Sequence, residues 1–395
     1  MNRRHLLKAA VAAPLVVSPL QLFAAAGSDA RVLVVFLRGA YDAANLLVPV
    51  GSDFYYEARP NIAVPRPGTE VNAALPLDAN WALHPVLRES LLPLYEKGQL
   101  AFVPYAGTHD ASRSHFGTQD TIELGQAHEA TRDYHSGFMN RLARVLVKRS
   151  SPIAFTAQVP VTFRGETQVP NIALRQLAAP QVGARESAMI AQMYRSTALS
   201  APVNEGFSVR EGVMQDLALE MEAASRNALT AGGFELEARR IASLMRERFN
   251  LGFVDVGGWD THAGQGAAEG LLANRFEQLG RGLAAFSKEM GEAWRDTVVV
   301  VISEFGRTLR ENGSRGTDHG HGSVYWVLGG SVRGRRIVGE QVRLSPSTLF
   351  QNRDYPVLNE YRALFGGLFS RIYGLDATQI QRIFPGTQAQ DLGLV

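Results

Sequence analysis

The chain has 395 residues, of which 46% are apolar and 20% charged, and its formal charge at pH 7 is +2. This composition excludes disordered and low-complexity proteins, and the length exceeds one average domain of ~100–200 residues, so one large α/β unit or two smaller ones are expected. The sequence contains no cysteine, which excludes disulfides, thiolate metal sites, cysteine nucleophiles and a formylglycine made from cysteine.

Residues 1–26 have the pattern of a signal peptide. Arg3, Arg4 and Lys8 precede an apolar stretch that ends in three alanines at 24–26. Paired arginines are typical of proteins exported by the twin-arginine machinery, and the alanines predict cleavage near residue 26. The apolar stretch is shorter than the ~20 residues needed to cross a bilayer, so we expect no stable membrane span. The expected location is periplasmic or extracellular.

Removal of this segment would take away three basic residues and no acidic residue, so the formal charge would change from +2 to −1. The sequence has no lysine-rich tail and no basic stripe with interleaved aromatic residues. Nothing therefore favours a nucleic-acid partner.

Runs of β-branched and other apolar residues predict five strands along the rest of the chain, at 31–38, 100–105, 253–256, 297–303 and 324–328. Helical periodicity lies between them, at 84–96, 114–124, 234–249 and 272–294, and a helical tail is expected from residue 352. Alternating strands and helices predict crossover connections and a largely parallel sheet. We expect a single domain over 27–395, with an insertion or cap around 150–233, where proline and glycine breaks interrupt the pattern.

Three predicted strands are followed closely by an acidic residue, namely Asp42, Asp260 and Glu304. Ligands of such sheets bind beyond the carboxyl ends of the strands, so these residues are candidates for a common site.

Histidines accumulate beside two of these loops. His262 follows Asp260, and Asp318-His319-Gly320-His321 places one acid and two imidazoles in a glycine-flanked loop. Oxygen and imidazole donors without thiolates suit zinc, manganese or a similar divalent ion. The alternative is a hydrogen-bonded loop in which Asp260 and Asp318 cap neighbouring backbone.

Ser114 is predicted to begin the helix that ends near Leu124. A serine at this position commonly caps the helix, but a hydroxyl at a helix amino end also lies where an anionic ester is stabilised. Arg38, Arg113 and Arg307 lie beside the acids, where they would bind anionic oxygens or serve as counter-ions.

These motifs together resemble a known family: Phe36-Leu37-Arg38-Gly39 with Asp42, Ser114-His115-Phe116, Asp260-Thr261-His262, Ser303 to Arg307, and Gly316 to Gly320. The chain resembles the exported bacterial proteins grouped under domain of unknown function 1501. Those proteins are similar in fold to the alkaline phosphatase and sulfatase superfamily. The resemblance implies an α/β, alkaline-phosphatase-like fold, with a central mixed, mainly parallel sheet, helices on both faces and a two-metal site at its edge.

The resemblance also implies roles for individual residues. Asp42 would bind one ion, Ser114 would be the nucleophile, and the other ion would be held by Asp260, His262 and one of His319 or His321. Ser303-Glu304-Phe305-Gly306 resembles the superfamily's Ser-Asp-His-Gly, with Glu304 in place of the acid and Phe305 in place of the imidazole. Because phenylalanine cannot ligate, either Asp318, His321 or His115 compensates, or the site holds one ion, or catalysis has been lost.

The expected function is that of an exported metal-dependent hydrolase of phosphate or related small anionic esters. It would use a metal-activated Ser114, with Arg113 or Arg38 holding the ester oxygens, and one or two divalent ions held by a set drawn from Asp42, Asp260, His262, Glu304, Asp318, His319 and His321. The alternative is a non-catalytic exported binding or assembly protein that keeps the fold and one structural ion. A Ser-x-Pro-x-Arg sequence is missing around Ser114, so a formylglycine sulfatase made from serine is not expected.

Overall fold

A large mixed sheet organises the protein. The structure is a computed structural model that describes residues 30–174, 184–207 and 233–395. Its strands within these residues are β1 (Arg31–Arg38), β2 (Leu47–Val48), β3 (Leu75–Pro76), β4 (Ala82–Leu83), β5 (Leu100–Gly107), β6 (Pro152–Ala154), β7 (Leu251–Gly257), β8 (Thr297–Ser303), β9 (Ser323–Gly329), β10 (Arg336–Ile337) and β11 (Asn359–Glu360). The five predicted strands are all confirmed, with boundaries that extend by at most two residues at either end.

The described strands form one eight-stranded sheet in the order β10-β5-β9-β8-β1-β7-β6, with β11 also paired to β5. Strand β1 lies between β7 and β8 and runs parallel to both. Strand β9 is antiparallel to its neighbours β5 and β8, so the sheet is mixed and mainly parallel, as predicted. A separate small sheet contains β2, β4 and β3.

Helices lie between the strands in the chain. The α-helices within the described residues are α1 (Ala43–Leu46), α2 (Asp53–Ala58), α3 (Leu92–Glu96), α4 (His115–Leu124), α5 (Phe138–Leu146), α6 (Ala184–Tyr194), α7 (200–207), α8 (Phe234–Glu247), α9 (Leu271–Met290), α10 (Tyr361–Tyr373) and α11 (Ala377–Ile383). Short 3-10 helices occur at Pro85–Leu87, Val147–Arg149, Val161–Phe163, Gly291–Asp296 and Pro346–Thr348. The predicted helices at 114–124 and 234–249 and the helical tail are confirmed, and the 272–294 stripe continues from α9 into a 3-10 turn.

The helices cover both faces of the sheet because successive side chains of β1 point to opposite sides. Leu33 and Val35 belong to one hydrophobic core, which includes residues of α8 and α9. Val34 and Phe36 belong to a second core, which includes residues of α5 and α10. The β1 side chains from Val32 to Leu37 are therefore buried throughout, as in a parallel strand covered on both sides.

The prediction of one continuous helix over 84–96 is wrong. A 3-10 turn at Pro85–Leu87 and the short helix α3 replace it. Pro93 lies in the first turn of α3, where its missing N–H costs nothing, whereas in a continuous helix it would remove a hydrogen bond and clash with the preceding turn.

Two sequence expectations fall partly or wholly outside the described residues. The signal peptide over 1–26 lies outside them, as do 175–183 and 208–232 of the expected insertion. The described start of that segment, β6, adds an edge strand to the central sheet beside β7. An insertion after this strand stays a prediction.

The carboxyl ends of β8, β1 and β7 lie side by side. Leu37 pairs with Ser303, and Arg38 pairs with Gly257. Gly39 follows with φ +114°, and a Cβ there would lie 2.9 Å from the backbone nitrogen of Asp260. Glycine therefore allows the loops after β1 and β7 to pack against each other at the edge of the sheet.

His84 leads to a prediction about stability in acid. It is buried, its Nε2 donates to the carbonyl oxygen of Ala267 at 2.9 Å, and burial lowers its pKa from 6.5 to about 4. Because the folded-state pKa lies below the unfolded one, stability is lost as pH falls from 6.5 towards 4. Over this range we expect the free energy of unfolding to fall by about 3 kcal/mol more in the wild type than in His84→Gln, as measured by urea denaturation.

The matched control is His135→Gln, which replaces an exposed histidine and should keep the wild-type pH dependence. Equal acid destabilisation of His84→Gln and the wild type would contradict this assignment.

Candidate metal centre

Three imidazole rings and one carboxylate meet at the edge of the sheet. His319 Nε2 lies 2.9 Å from His115 Nε2 and 3.1 Å from His262 Nε2. The carboxylate oxygens of Asp260 lie 3.0 Å from His262 Nε2, 3.3 Å from His319 Nε2 and 3.5 Å from His115 Nε2. We call these four residues, His115, His262, His319 and Asp260, the donor cluster.

The cluster draws its members from three parts of the chain. His115 is the first residue of α4, which follows β5. Asp260 and His262 lie in the loop after β7, and His319 lies between β8 and β9. Gly316 lets the last two loops pack tightly, since a Cβ there would lie 2.3 Å from the carbonyl oxygen of His262.

Each ring has a hydrogen-bond acceptor at Nδ1, the nitrogen that faces away from the cluster. His115 Nδ1 donates to Glu304 Oε1 at 2.8 Å, His262 Nδ1 to Asp318 Oδ1 at 3.2 Å, and His319 Nδ1 to the carbonyl oxygen of Arg113 at 3.0 Å. With the proton on Nδ1, a neutral imidazole presents a lone pair at Nε2.

Among the described residues, one ligand atom each of His115, Asp260 and His319 lie within 4.8 Å of one another and could hold a metal ion. His262 Nε2 adjoins this group, 3.1 Å from His319 Nε2. The nitrogen and oxygen donors fit zinc, manganese or a similar divalent cation, and anchored Nδ1 atoms are usual for histidines that bind metals. The residues present thus fit the metal that the sequence resemblance implies.

The pKa shifts of Glu304 and Asp318, the carboxylates that contact His115 and His262, support this arrangement. Burial alone would raise the pKa of Glu304, but the hydrogen bonds from His115, Gln119 and the Gly39 backbone outweigh it and lower that pKa. Hydrogen bonds from Asn312 and His262 likewise outweigh desolvation and lower the pKa of Asp318. Both carboxylates are therefore ionised acceptors near neutral pH.

The pKa values of two of the rings, His115 and His319, shift in opposite directions. The hydrogen bond to Glu304 raises the pKa of His115. Burial, together with the nearby His115, lowers the pKa of His319, which favours its neutral, metal-binding form.

Arg307 holds Asp260 in place. Its buried guanidinium donates to Asp260 Oδ1 and to both the hydroxyl and the carbonyl oxygen of Thr317. Burial would raise the pKa of Asp260, but the hydrogen bond and the charge of Arg307 lower it. Arg307 is therefore the counter-ion of Asp260, one of the two roles that its sequence position allowed.

Four predicted ligands lie differently from the expectation. Glu304 is buried behind His115 and orients that ring. Asp318 anchors His262. His321 lies apart from the cluster, with its ring centroid 4.5 Å from that of Phe350 and tilted by 30°, and Asp42 is paired with a buried arginine, Arg59.

The predicted arginine clamps are both engaged with acids. Arg38 donates to Asp255 at 2.7 Å and to Glu123 at 2.8 Å. Arg113 donates to Asp354 at 2.7 Å. Ser114 caps α4, where its exposed hydroxyl accepts a hydrogen bond from the Gly117 backbone at 3.4 Å.

His115 lies directly beside Phe305, the residue that stands where the resemblance implies an imidazole. Phe305 is buried, and its ring stacks on His115 with 4.9 Å between centroids, while the ring of His319 lies 5.3 Å away. From the sequence, His115 is one of three residues that could compensate for Phe305. The sequence signal that could have singled it out is its position directly after Ser114, the predicted N-cap.

Comparison with known proteins assigns the family. A family model described as "Protein of unknown function (DUF1501)" matches residues 29–384. The chain belongs to this family, which confirms the resemblance drawn from its motifs. A search of curated proteins gave no match.

Solved structures give more distant likenesses. A protein in the alkaline phosphatase superfamily from Vibrio parahaemolyticus is 12% identical, with 92% of this chain and 70% of that chain covered and a TM-score of 0.41. Ps i-CgsB, solved in complex with k-i-k-neocarrahexaose, is 7% identical, with 89% and 73% covered and a TM-score of 0.38. The functional argument therefore depends on the side chains of this protein.

Replacing Glu304 tests the orientation of His115. Glu304→Gln keeps the size of the side chain but removes the charge that holds Nδ1–H, so we expect zinc or manganese affinity to fall by about 10- to 100-fold, as measured by chelator competition. Glu311→Gln, which alters a loop acid bonded to the exposed Asn61, is the control and should bind as the wild type does. Unchanged affinity in Glu304→Gln would show that this carboxylate does not support the cluster.

Proposed function

We propose that this protein is an exported, metal-dependent hydrolase of phosphate or related anionic esters. The observation that carries the proposal is the grouping of His115, His319 and Asp260, whose ligand atoms lie within 4.8 Å of one another, with His262 Nε2 beside them at 3.1 Å from His319 Nε2. His115, His262, His319 and Asp260 would hold the ion. When bound, a divalent ion in such a site polarises an ester oxygen and lowers the pKa of a nearby hydroxyl or water.

Ser114 is the proposed nucleophile. Its exposed hydroxyl lies at the amino end of α4, between Arg113, whose carbonyl oxygen binds His319, and His115 of the cluster. The helix end favours negative charge on an attacking oxygen and on an ester. The Ser114 oxygen would form an ester with the phosphoryl group, and its proton would leave with the departing alcohol. Water would then hydrolyse that ester, which releases the anion and restores the serine hydroxyl.

Arg113 is the proposed contact for the ester oxygens. Its side chain is 22% exposed and adjoins Ser114, and Asp354 fixes it through two hydrogen bonds. Arg38 is a weaker candidate because Asp255 and Glu123 both neutralise it.

The proposed location is the periplasm or the extracellular space. This part of the proposal is supported by the twin-arginine pattern in residues 1–26. Among the described residues, no helix combines the length and the apolar character needed to cross a bilayer. The twin-arginine machinery moves folded proteins, so the metal would be loaded before export.

Phe305 favours the second candidate function, a non-catalytic exported binding or assembly protein with one structural ion. Its buried ring fills the place of a possible ligand. His115, however, supplies a nitrogen to the cluster, which is the reason that we prefer the hydrolase.

A substrate screen distinguishes the two functions. Metal-loaded protein should hydrolyse at least one of p-nitrophenyl phosphate, bis-p-nitrophenyl phosphate and p-nitrophenyl sulfate. Ser114→Ala should lower kcat on the order of 100-fold or more at unchanged metal content, because the nucleophile is lost.

Ser112→Ala is the matched control, since Ser112 is an exposed serine two residues away that contacts the Ser114 backbone nitrogen. Its activity should stay close to that of the wild type. Undiminished turnover in Ser114→Ala would exclude Ser114 as the nucleophile, and no turnover on any ester despite bound metal would favour the binding protein.

A further inference from the structure

The two carboxylate oxygens of Asp42 already have partners. The side chain is 1% exposed. Its Oδ2 accepts hydrogen bonds from Arg59 Nη1 at 2.5 Å and from Gln265 Nε2 at 2.6 Å, and its Oδ1 accepts one from Arg59 Nη2 at 3.0 Å. A metal ion at Asp42 would have to displace at least one of these donors.

Moving the Arg59 side chain away from Asp42 would break buried hydrogen bonds. Its side chain is fully buried, and its nitrogens donate to five acceptors. Besides the two oxygens of Asp42, these acceptors are Asn45 Oδ1 at 2.8 Å, the Thr308 carbonyl at 3.0 Å and the Leu309 carbonyl at 2.6 Å. An arginine has five N–H groups, so every one is paired, and moving the guanidinium would leave buried donors and a buried acid unsatisfied.

The Asp42–Arg59 pair is connected to the donor cluster. Gln265 donates to Asp42 and accepts a hydrogen bond from the Thr317 hydroxyl at 3.0 Å. The same hydroxyl accepts from Arg307 Nε at 3.2 Å, and Arg307 donates to Asp260. Each of the two aspartates at this edge therefore has its own buried arginine, and only Asp260 also faces the imidazoles.

We propose that the protein binds one divalent cation per chain, in the donor cluster, and that the Arg59 guanidinium neutralises Asp42 in place of a second ion. This inference rests on the metal site of the proposed function. It replaces the two-ion site that the sequence resemblance implied. Arg59 is thus a positioning residue with a permanent charge, and it does not touch the substrate.

The first test counts metal in the wild type. The full chain, purified after export, is incubated with excess Zn²⁺ or Mn²⁺, desalted and measured by mass spectrometry of the metal. We expect one equivalent per chain. Two equivalents would overturn this inference while leaving the metal-dependent function intact, and no bound metal would overturn both.

The second test changes the pair itself. The double variant Asp42→Asn/Arg59→Met removes both charges together, and it should still bind one equivalent, because Asp42 is not a ligand. A loss of metal from this variant, once it is shown to be folded, would overturn the inference.

Arg59→Met alone leaves the Asp42 carboxylate buried without its cation. Added Mn²⁺ should then bind as a second equivalent and raise the Tm of this variant by more than it raises that of the wild type. The control is Arg66→Met, at an exposed arginine paired with the exposed Asp53, which should stay at one equivalent. If Arg59→Met folds and still binds only one equivalent, Arg59 does not take the place of a cation. If it does not fold, the wild type and the double variant still decide the question.

Discussion

The site depends on the direction of three imidazole lone pairs. Acceptors on three different parts of the chain lie at the three Nδ1 atoms. With the proton on Nδ1, a neutral ring has its lone pair at Nε2, and the Nε2 atoms of His115 and His319 lie beside the Asp260 carboxylate, with His262 Nε2 next to them. Two unprotonated Nε2 atoms 2.9 or 3.1 Å apart repel each other unless a proton or a cation lies between them. The surrounding residues are arranged to maintain this grouping.

The sheet brings these groups together because β8, β1 and β7 are adjacent and parallel, so their carboxyl ends share one edge. Glu304, at the end of β8, accepts a hydrogen bond from the Gly39 backbone after β1 and also orients His115. One buried carboxylate thus fixes a strand end and a donor ring together. Arg59 pairs with Asp42 at the same edge, whereas Asp260, held by Arg307, also faces the imidazoles.

Much of the fold could be predicted from the sequence, because the central strands are buried on both faces and are therefore continuous β-branched runs. The prediction of one helix over 84–96 was wrong because it followed the helical periodicity and did not take Pro93 into account. At the site, the position of acids just after strands indicated Asp260, and the clustering of histidines in the loops indicated His262 and His319. These patterns could not distinguish a metal ligand from a residue that orients a ligand, because the distinction depends on which side chain reaches the cluster. Arg59 carries no motif, and only the structure places it against Asp42.

The most direct test of the account is anomalous X-ray scattering from crystals of the metal-loaded protein, recorded on both sides of the metal's absorption edge. The account predicts a peak at bonding distance, ~2.0–2.2 Å, from the Nε2 atoms of His115, His262 and His319 and near Asp260. Density at that point with no anomalous signal, or a peak bound elsewhere while the three rings share protons, would contradict it.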